Sequence, residues 1–374
     1  MSAGGGILLR AGTCWVFHAY NLGWSVQLKS AEDRIADPKA RRTLQQKRRT
    51  KRYFEFNPHP LRVSKTIEPI QVGGRSCAPD VDMTIFDFGA VSIGYRFELP
   101  MGSDLNDLIS LNSSLYESSA LLEHSRIETR TLMDILGPSV QKPEDDLSAE
   151  TYVIFQLQDL EPKMSVEELF ERNRTEIARL LRSEPGQLSK EEINDATDLR
   201  ISYSPDDLAV IDWDATLLID RAGEDVRSVL EFVNVELMEL RLLDGELDDA
   251  LDEAYEVLQG WPRRSVIPGR GRSDLRRVGT LQVDGAMLFE GVNNALKLLS
   301  DQYLARVYRL GSKRFHLESW DESILRKIDV LQDIYDRMTD YVSTVRIELL
   351  EWIVIVLIVI EIALPFLSGL HGGH

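Results

Sequence analysis

A pair of aspartates gives this sequence its strongest candidate for catalytic chemistry. Asp212 and Asp214 lie in the run Val-Ile-Asp-Trp-Asp-Ala-Thr, and on a β-strand such a spacing places both carboxylates on one face. Paired carboxylates can hold Mg²⁺ or share a proton, as a metal-dependent hydrolase would require. The alternative is that this face is solvated, and the lack of a partner base or phosphate loop in the sequence favours that alternative.

The sequence signatures of the common catalytic classes are absent. The chain contains no G-x-x-x-x-G-K-[ST] loop, no H-E-x-x-H, no G-x-S-x-G elbow and no C-x-x-C pair. Its 2 cysteines and 6 histidines are too few for a disulfide framework or a histidine-rich metal site. We therefore expect a protein that is not an enzyme and that carries no cofactor.

Positive charge is concentrated in two segments of a chain whose formal net charge is -18. That net charge excludes a protein whose whole surface is covered by nucleic acid. The first segment contains no acidic residue, and its candidate anion-binding residues are Arg41, Arg42, Lys47, Arg48, Arg49, Lys51 and Arg52. A weaker basic segment spans residues 263–277. Three interpretations stay open: binding of RNA phosphates, binding of anionic lipid headgroups, and pairing with the protein's own acidic half.

The C-terminal segment is predicted to cross a membrane. Residues 352–360 read WIVIVLIVI, and the apolar stretch continues to Leu370; as a helix it would cover roughly 28 Å of a hydrocarbon core of about 30 Å. Trp352 would lie in the headgroup layer, and Pro365 is tolerated near the far end. Glu361 would be protonated, paired across an oligomer, or shallow enough to reach water. The alternative is a helix buried inside a soluble fold.

Two segments show the apolar spacing of packed helices. In the segment nearer the C-terminus, apolar residues recur at alternating steps of four and three from Ile324 to Leu349, and Trp352 continues the series. The candidate oligomer seam consists of Ile328, Leu331, Tyr335, Met338, Val342 and Val345. The first segment spans residues 226–258 and has Asp244 at a seam position, where it either fixes the register or marks a kink exposed to water. Such seams pack within one chain or between chains, and a homo-oligomer is one expected outcome.

The order of the elements predicts an α+β protein. Strand-like runs and helical segments are mixed up to about residue 220. Residues 81–88 and 90–97 are two β-rich runs that meet at Gly89 and predict adjacent strands, and residues 208–219 form another strand-like run. Only helical patterns follow, with a first helix that Trp261-Pro262 is predicted to stop and a third helix over residues 281–310. We predict an α+β cytoplasmic domain over residues 1–220, a long-helix antiparallel bundle or coiled coil over 221–348, and a single transmembrane anchor over 349–370. The 43% hydrophobic and 28% charged residues exclude wholesale disorder.

The end of the chain resembles a known protein family. The Leu-Glu-Trp entry, the apolar run and the Glu-Ile exit at residues 350–362 are similar to the tail of the required-for-meiotic-nuclear-division family. Residues 86–91, Phe-Asp-Phe-Gly-Ala-Val, resemble a strand pair upstream in that family. The resemblance, which would make this chain a distant bacterial-type member, implies a membrane-associated, oligomeric protein without known catalytic residues. A mitochondrial member supports translation, which implies RNA or the ribosome as a partner.

These observations predict a tail-anchored, oligomeric, non-enzymatic scaffold. Its cytoplasmic domain would bind a protein partner or tether RNA or ribosomes through the first basic segment. The alternative is a membrane-tethered metal-dependent hydrolase that uses Asp212 and Asp214.

Overall fold

The computed structural model describes residues 7–36, 45–46, 58–145, 147–264, 276, 279, 283 and 301–369. The chain divides into two compact units, the first made of Met1–Leu242 and Leu288–Asp321, and the second of Leu243–Met287 and Glu322–His374. In chain order the described strands are β1 (Leu8–Asn21), β2 (Gly23–Val26), β3 (Gln45–Gln46), β4 (Leu61–Thr66), β5 (Gln71–Val72), β6 (Arg75–Ser76), β7 (Asp80–Ile85), β8 (Ala90–Glu98), β9 (Val140–Pro143), β10 (Glu150–Glu161), β11 (Arg200–Ile201), β12 (Leu208–Ile211) and β13 (Ala215–Ile219). The described helices are α1 (Leu28–Ile35), α2 (Leu105–Glu117), α3 (Ser119–Leu136), α4 (Val166–Arg172), α5 (Arg174–Leu181), α6 (Lys190–Asp198), α7 (Glu224–Arg264), α8 (Gln302–Arg314) and α9 (Leu317–Gly369), with a 3₁₀ turn at Gly137–Ser139.

The first unit is organised around a large sheet. The described strands form nine positions in the order β11-β12-β13-β10-β1-β8-β7-β4-β3. The β10–β13 pair is parallel, whereas β1 pairs antiparallel with both β10 and β8. Two small sheets, β2–β9 and β5–β6, accompany the large one. The mixture of strands and helices confirms the predicted class at this coarse level.

Residue alternation along the strands separates two buried faces. Cys14 and Val16 of β1 belong to the main core, together with Leu108 of α2 and Leu180 of α5. Ala19, an odd position of the same strand, belongs to a second cluster with Phe86, Phe88, Phe232 and Met238. Successive side chains of a strand point to opposite faces, so the sheet is covered on one face by the early helices and on the other by α7.

The predicted hairpin over residues 81–97 is confirmed, and its turn explains one glycine. β7 and β8 pair antiparallel on either side of residues 86–89. Gly89 has a φ of +102°, and a Cβ at this position would lie 1.7 Å from the carbonyl oxygen of Gly23. A side chain there would clash with backbone and strain the turn. The Leu22 amide donates to the Gly89 carbonyl at 2.7 Å, which fixes the start of β2 against this turn.

Several helix boundaries follow from capping residues. Asp104 and Asp107 form a reciprocal capping box at the start of α2. Ser165 and Ser189 cap α4 and α6 through their hydroxyl oxygens. Asp301 caps α8 by accepting from the Tyr303 and Leu304 amides. The helix predicted over residues 281–310 was wrong as one continuous element, because Asp301 has a non-helical backbone (φ -89°, ψ 123°) and α8 begins after it, at Gln302. α8 continues to Arg314, four residues past the predicted end.

Some predicted elements were wrong in their boundaries. The run from Leu208 to Ile219 is two strands and not one, because residues 212–214 turn the chain back. The helix predicted to stop at Trp261-Pro262 continues to Arg264.

The second unit contains parts of α7 and α9 that are joined by partly buried and exposed charges. Lys327 Nζ lies 2.7 Å from Asp244 Oδ1 and 2.7 Å from Asp248 Oδ1, and Ser323 Oγ donates to Asp244 at 3.1 Å. One turn along α9, from Ser323 to Lys327, matches one turn along α7, from Asp244 to Asp248. The two helices therefore run in the same direction. In an antiparallel bundle of three helices the first and the third run in the same direction, so this pair does not decide the predicted arrangement, which stays a prediction. Asp244 is a paired residue in a continuous helix, as the register interpretation requires.

The described part of the chain does not show the predicted transmembrane helix. Across those residues, no helix has an apolar stretch long enough to cross a bilayer. Residues 352–360 of α9 are helical and apolar, but nine residues rise only about 14 Å. Glu361 and Pro365 fall within the bounds of α9, and their side chains lie outside the described residues.

Candidate functional site

Asp212 and Asp214 lie in a tight hairpin turn and not on a strand. β12 ends at Ile211 and β13 begins at Ala215, and the Asp212 amide donates to the Ala215 carbonyl at 3.0 Å. The alternation that would place both carboxylates on one face therefore does not apply. The predicted strand geometry was wrong because the apolar strand-like sequences on either side concealed a three-residue turn.

The Asp212 carboxylate is fully buried between two arginines. Arg182 Nε lies 2.7 Å from its Oδ2, and Arg314 Nε lies 2.9 Å from its Oδ1. Arg314 Nη1 also donates to Asp195 Oδ2 at 3.0 Å, and Arg182 forms an ion pair with the same Asp195 carboxylate. Burial raises the pKa of Asp212, and the two guanidinium groups oppose that shift. We call these four residues the Asp212 cluster.

Asp214 has a different environment, although it is two residues away. Its side chain is exposed, and partial desolvation raises its pKa, opposed by the Arg182 charge. The structure therefore does not bring the two carboxylates into one shared site. Among the residues that the structure describes, no group of three or more His, Cys, Asp or Glu side chains could hold a metal ion.

Aromatic side chains surround the Asp212 cluster. The ring of Trp213 stacks on Phe315 at 6.1 Å between centroids and lies 5.3 Å from the His316 ring. Tyr152 packs edge-on against Phe315 at 5.1 Å, and its hydroxyl donates to the Asp212 carbonyl at 2.9 Å. The β12–β13 hairpin thus holds the junction between α8 and α9 by buried charge and by aromatic packing. This arrangement positions the two helices.

The structure also buries three glutamates of α7 that sequence reasoning missed. Residues 231–240 are all buried, and they include Glu231, Glu236 and Glu239. The Tyr308 hydroxyl donates to both Glu236 carboxylate oxygens at 2.9 and 3.0 Å. Burial raises the pKa of Glu236 to about 8, opposed by that hydrogen bond. Asn21 donates to Glu239 at 3.2 Å.

A signal for this burial was present in the sequence. Phe232, Val235 and Met238 lie off the heptad seam of α7, so both sides of this helical segment are apolar. A helix that is apolar on more than one side is buried from more than one direction. The glutamates on such a segment are therefore enclosed and not solvated.

The remaining predicted site residues have different outcomes. Arg41, Arg42, Lys47, Arg48, Arg49, Lys51 and Arg52 all lie outside the residues that the structure describes. Of the candidate oligomer seam, Leu331 and Met338 are buried within the single chain and Ile328 and Tyr335 are partly buried. The Val342 and Val345 side chains lie outside the described residues.

The apolar end of α9 is exposed on every side. Residues 352–360 are each between 46% and 67% exposed. At 100° per residue, nine residues point in all directions around the helix axis. Trp352, the predicted headgroup anchor, begins this run with the largest exposure.

Comparison with known proteins identifies the family. The family model described as "Uncharacterized protein MJ0711, N-terminal domain" matches residues 11–225, more than half of the chain. The chain belongs to this family. The protein "Uncharacterized protein MJ0711" of Methanocaldococcus jannaschii is 24% identical over 231 residues, which cover 60% of this chain and 68% of that protein. No solved structure matches the chain.

The MJ0711 N-terminal region ends just inside α7. It therefore contains Arg182, Asp195 and Asp212 of the Asp212 cluster but not Arg314. The description of the family names no activity.

Proposed function

We propose that this protein is a tail-anchored, non-enzymatic membrane scaffold. In this proposal the end of α9 inserts among lipid acyl chains, and the sheet-containing unit presents a surface to a partner. The observation that carries the proposal is the exposure of residues 352–360 around the whole circumference of the helix.

Lipid is the occupant that suits this pattern best. A partner helix or a second copy would cover one stripe, whereas acyl chains surround a helix on all sides. Burial of a large aliphatic side chain contributes about 1.5 to 3 kcal/mol, so leaving Trp352 and the eight aliphatic residues after it in water would be costly. In the sequence the apolar run extends past Glu361 to Leu370, and that whole stretch would approach the thickness of a bilayer core.

The geometry of Asp212 and Asp214 favours a scaffold over the hydrolase alternative. The Asp212 carboxylate is held by Arg182 and Arg314 and Asp214 is exposed, so these two aspartates are not arranged as a pair for a metal. The resemblance of residues 350–362 to the required-for-meiotic-nuclear-division tail supports membrane association. RNA or the ribosome, bound through residues 41–52, and a homo-oligomer are further parts of the proposal.

Flotation with liposomes tests the anchor. The full chain is mixed with phosphatidylcholine vesicles, and its fraction in the floating layer is compared with that of a variant carrying Ile355→Lys and Val359→Lys. A charge at the bilayer centre costs about 2.5 to 3.5 kcal/mol, so the variant should lose most of its binding.

The matched control is a variant with Asp333→Lys and Asp336→Lys, two exposed positions on α9 that also gain lysines. It should float like the wild type. Flotation of the 355/359 variant at wild-type levels, or of neither protein, would contradict the proposed anchor.

A further inference from the structure

A cavity of about 510 Å³ lies at the end of the parallel strand pair of the first unit. Its walls come from the ends of β10 and β13, from the chain before and within α4, and from the turn at residues 204–207. The volume lies within the range of about 300 to 1,000 Å³ that small-molecule sites occupy. Ligands of sheets with parallel strands bind outside the carboxyl ends of those strands, which is where this cavity opens.

The floor of the cavity is apolar. Leu157 and Ile219 are neighbours in the β10–β13 register, and both line it. Both are buried, as is Leu169 of α4. Val166, the first residue of α4, is half-buried at one side. This apolar floor can contact the methylene groups of a ligand.

The mouth of the cavity is acidic. Asp159, Asp206, Asp207 and Asp220 line it, against two cationic side chains, Lys163 and Arg221. Asp207 stabilises its own turn, because its carboxylate accepts from the Tyr203 and Ser204 amides at 2.7 Å. The Asp159 carboxylate is 3.8 Å from Arg221 Nη2 in an exposed pair, which is weak.

We propose that this cavity binds an aliphatic polyamine. Ammonium groups separated by methylene spacers match separate carboxylates at the mouth and an apolar floor between them. An anionic ligand would meet a carboxylate excess, and a purely apolar ligand would leave the carboxylates desolvated without a partner. This inference is independent of the membrane anchor, since every residue in it lies in the first unit.

Calorimetric titration of the full chain with spermidine tests the proposal. We expect saturable binding to one site, with hexanoate as a probe that does not bind. Asp206→Asn, an exposed change at the mouth, should weaken spermidine binding about fivefold, the effect of one exposed ion pair. Val166→Trp should abolish binding by filling the cavity.

The matched control is Asp198→Asn, which removes an exposed carboxylate at the end of α6 and not at the cavity. It should bind spermidine like the wild type. The proposal fails if spermidine does not bind saturably, or if Asp206→Asn and Asp198→Asn have equal effects, because the polyamine would then be responding to net charge alone. Since Asp206→Asn changes an exposed side chain, it keeps the test valid if Val166→Trp does not fold.

Discussion

Replacement of Asp212 by Asn is the sharpest test of how the helices are held on the sheet. The change removes one negative charge from between Arg182 and Arg314, whose Nε atoms lie 2.7 and 2.9 Å from the carboxylate. The Asp212 side chain is fully buried, and that of Arg314 is 8% exposed. The variant therefore leaves a buried guanidinium without its main counter-charge.

The magnitude follows from the burial of the pair. Removing one partner of a buried ion pair costs about 3 to 5 kcal/mol. Arg314 keeps its 3.0 Å contact with Asp195, so we expect a loss near the lower end, about 3 kcal/mol. Urea unfolding measures this loss, and tryptophan fluorescence is a suitable probe since Trp213 stacks on Phe315.

Asp214→Asn is the control, because it makes the same chemical change at an exposed position of the same turn. Its free energy of unfolding should stay within about 0.5 kcal/mol of the wild type. If Asp212→Asn and Asp214→Asn were equally stable, the Asp212 cluster would not hold the junction of α8 and α9.

Three further predictions concern other positions. Burial raises the pKa of Glu236 from its ordinary value of 4.5 to about 8 in the folded chain. The free energy of unfolding of the wild type should therefore fall as pH rises between these values, by at most about 5 kcal/mol. Glu236→Gln should remove that fall in urea titrations at pH 5 and pH 8. Gly89→Ala should cost more than about 3 kcal/mol, seen as loss of the cooperative thermal transition, because its Cβ would lie 1.7 Å from the Gly23 oxygen. Lys327→Met should cost about 1 to 3 kcal/mol by leaving Asp244 without its 2.7 Å partner, whereas Arg326→Met, at an exposed position, should be nearly neutral in the same unfolding assay.

Much of the element order could be predicted from periodicity. The β7–β8 hairpin was predicted from two β-rich runs that meet at Gly89, and the structure has it there. The helices over residues 226–258 and 324–349 were predicted from steps of four and three, and they lie within α7 and α9. Local patterns succeed here because each element has apolar residues on a fixed face.

The failures arose where tertiary context overrides a local pattern. The run Asp212-Trp213-Asp214 lacks the Gly or Asn that usually marks a hairpin turn. The turn and the buried carboxylate were therefore both missed. The partners of Asp212 come from α5 and from the end of α8, more than a hundred residues further on in the second case. Sequence spacing cannot predict such contacts.

Pairing across long separations also explains the role of Asp244. From the sequence alone, Asp244 was compatible with a kink in the helix or with a polar residue that fixes the register. Lys327 resolves the choice because its ammonium reaches both Asp244 and Asp248. A polar residue in an apolar seam stabilises one register when its partner is placed opposite.

The most direct test of the membrane anchor measures the depth of α9 in a bilayer. A nitroxide attached at Val356→Cys of the full chain in liposomes reports collisions with oxygen, which dissolves in lipid, and with a nickel chelate, which stays in water. The native thiols of Cys14 and Cys77 are buried, so labelling should favour the new cysteine. We predict high oxygen and low nickel accessibility at position 356, and the reverse for a label at the exposed position 333. Equal nickel accessibility at the two positions would contradict the proposal that this end of the helix lies in lipid.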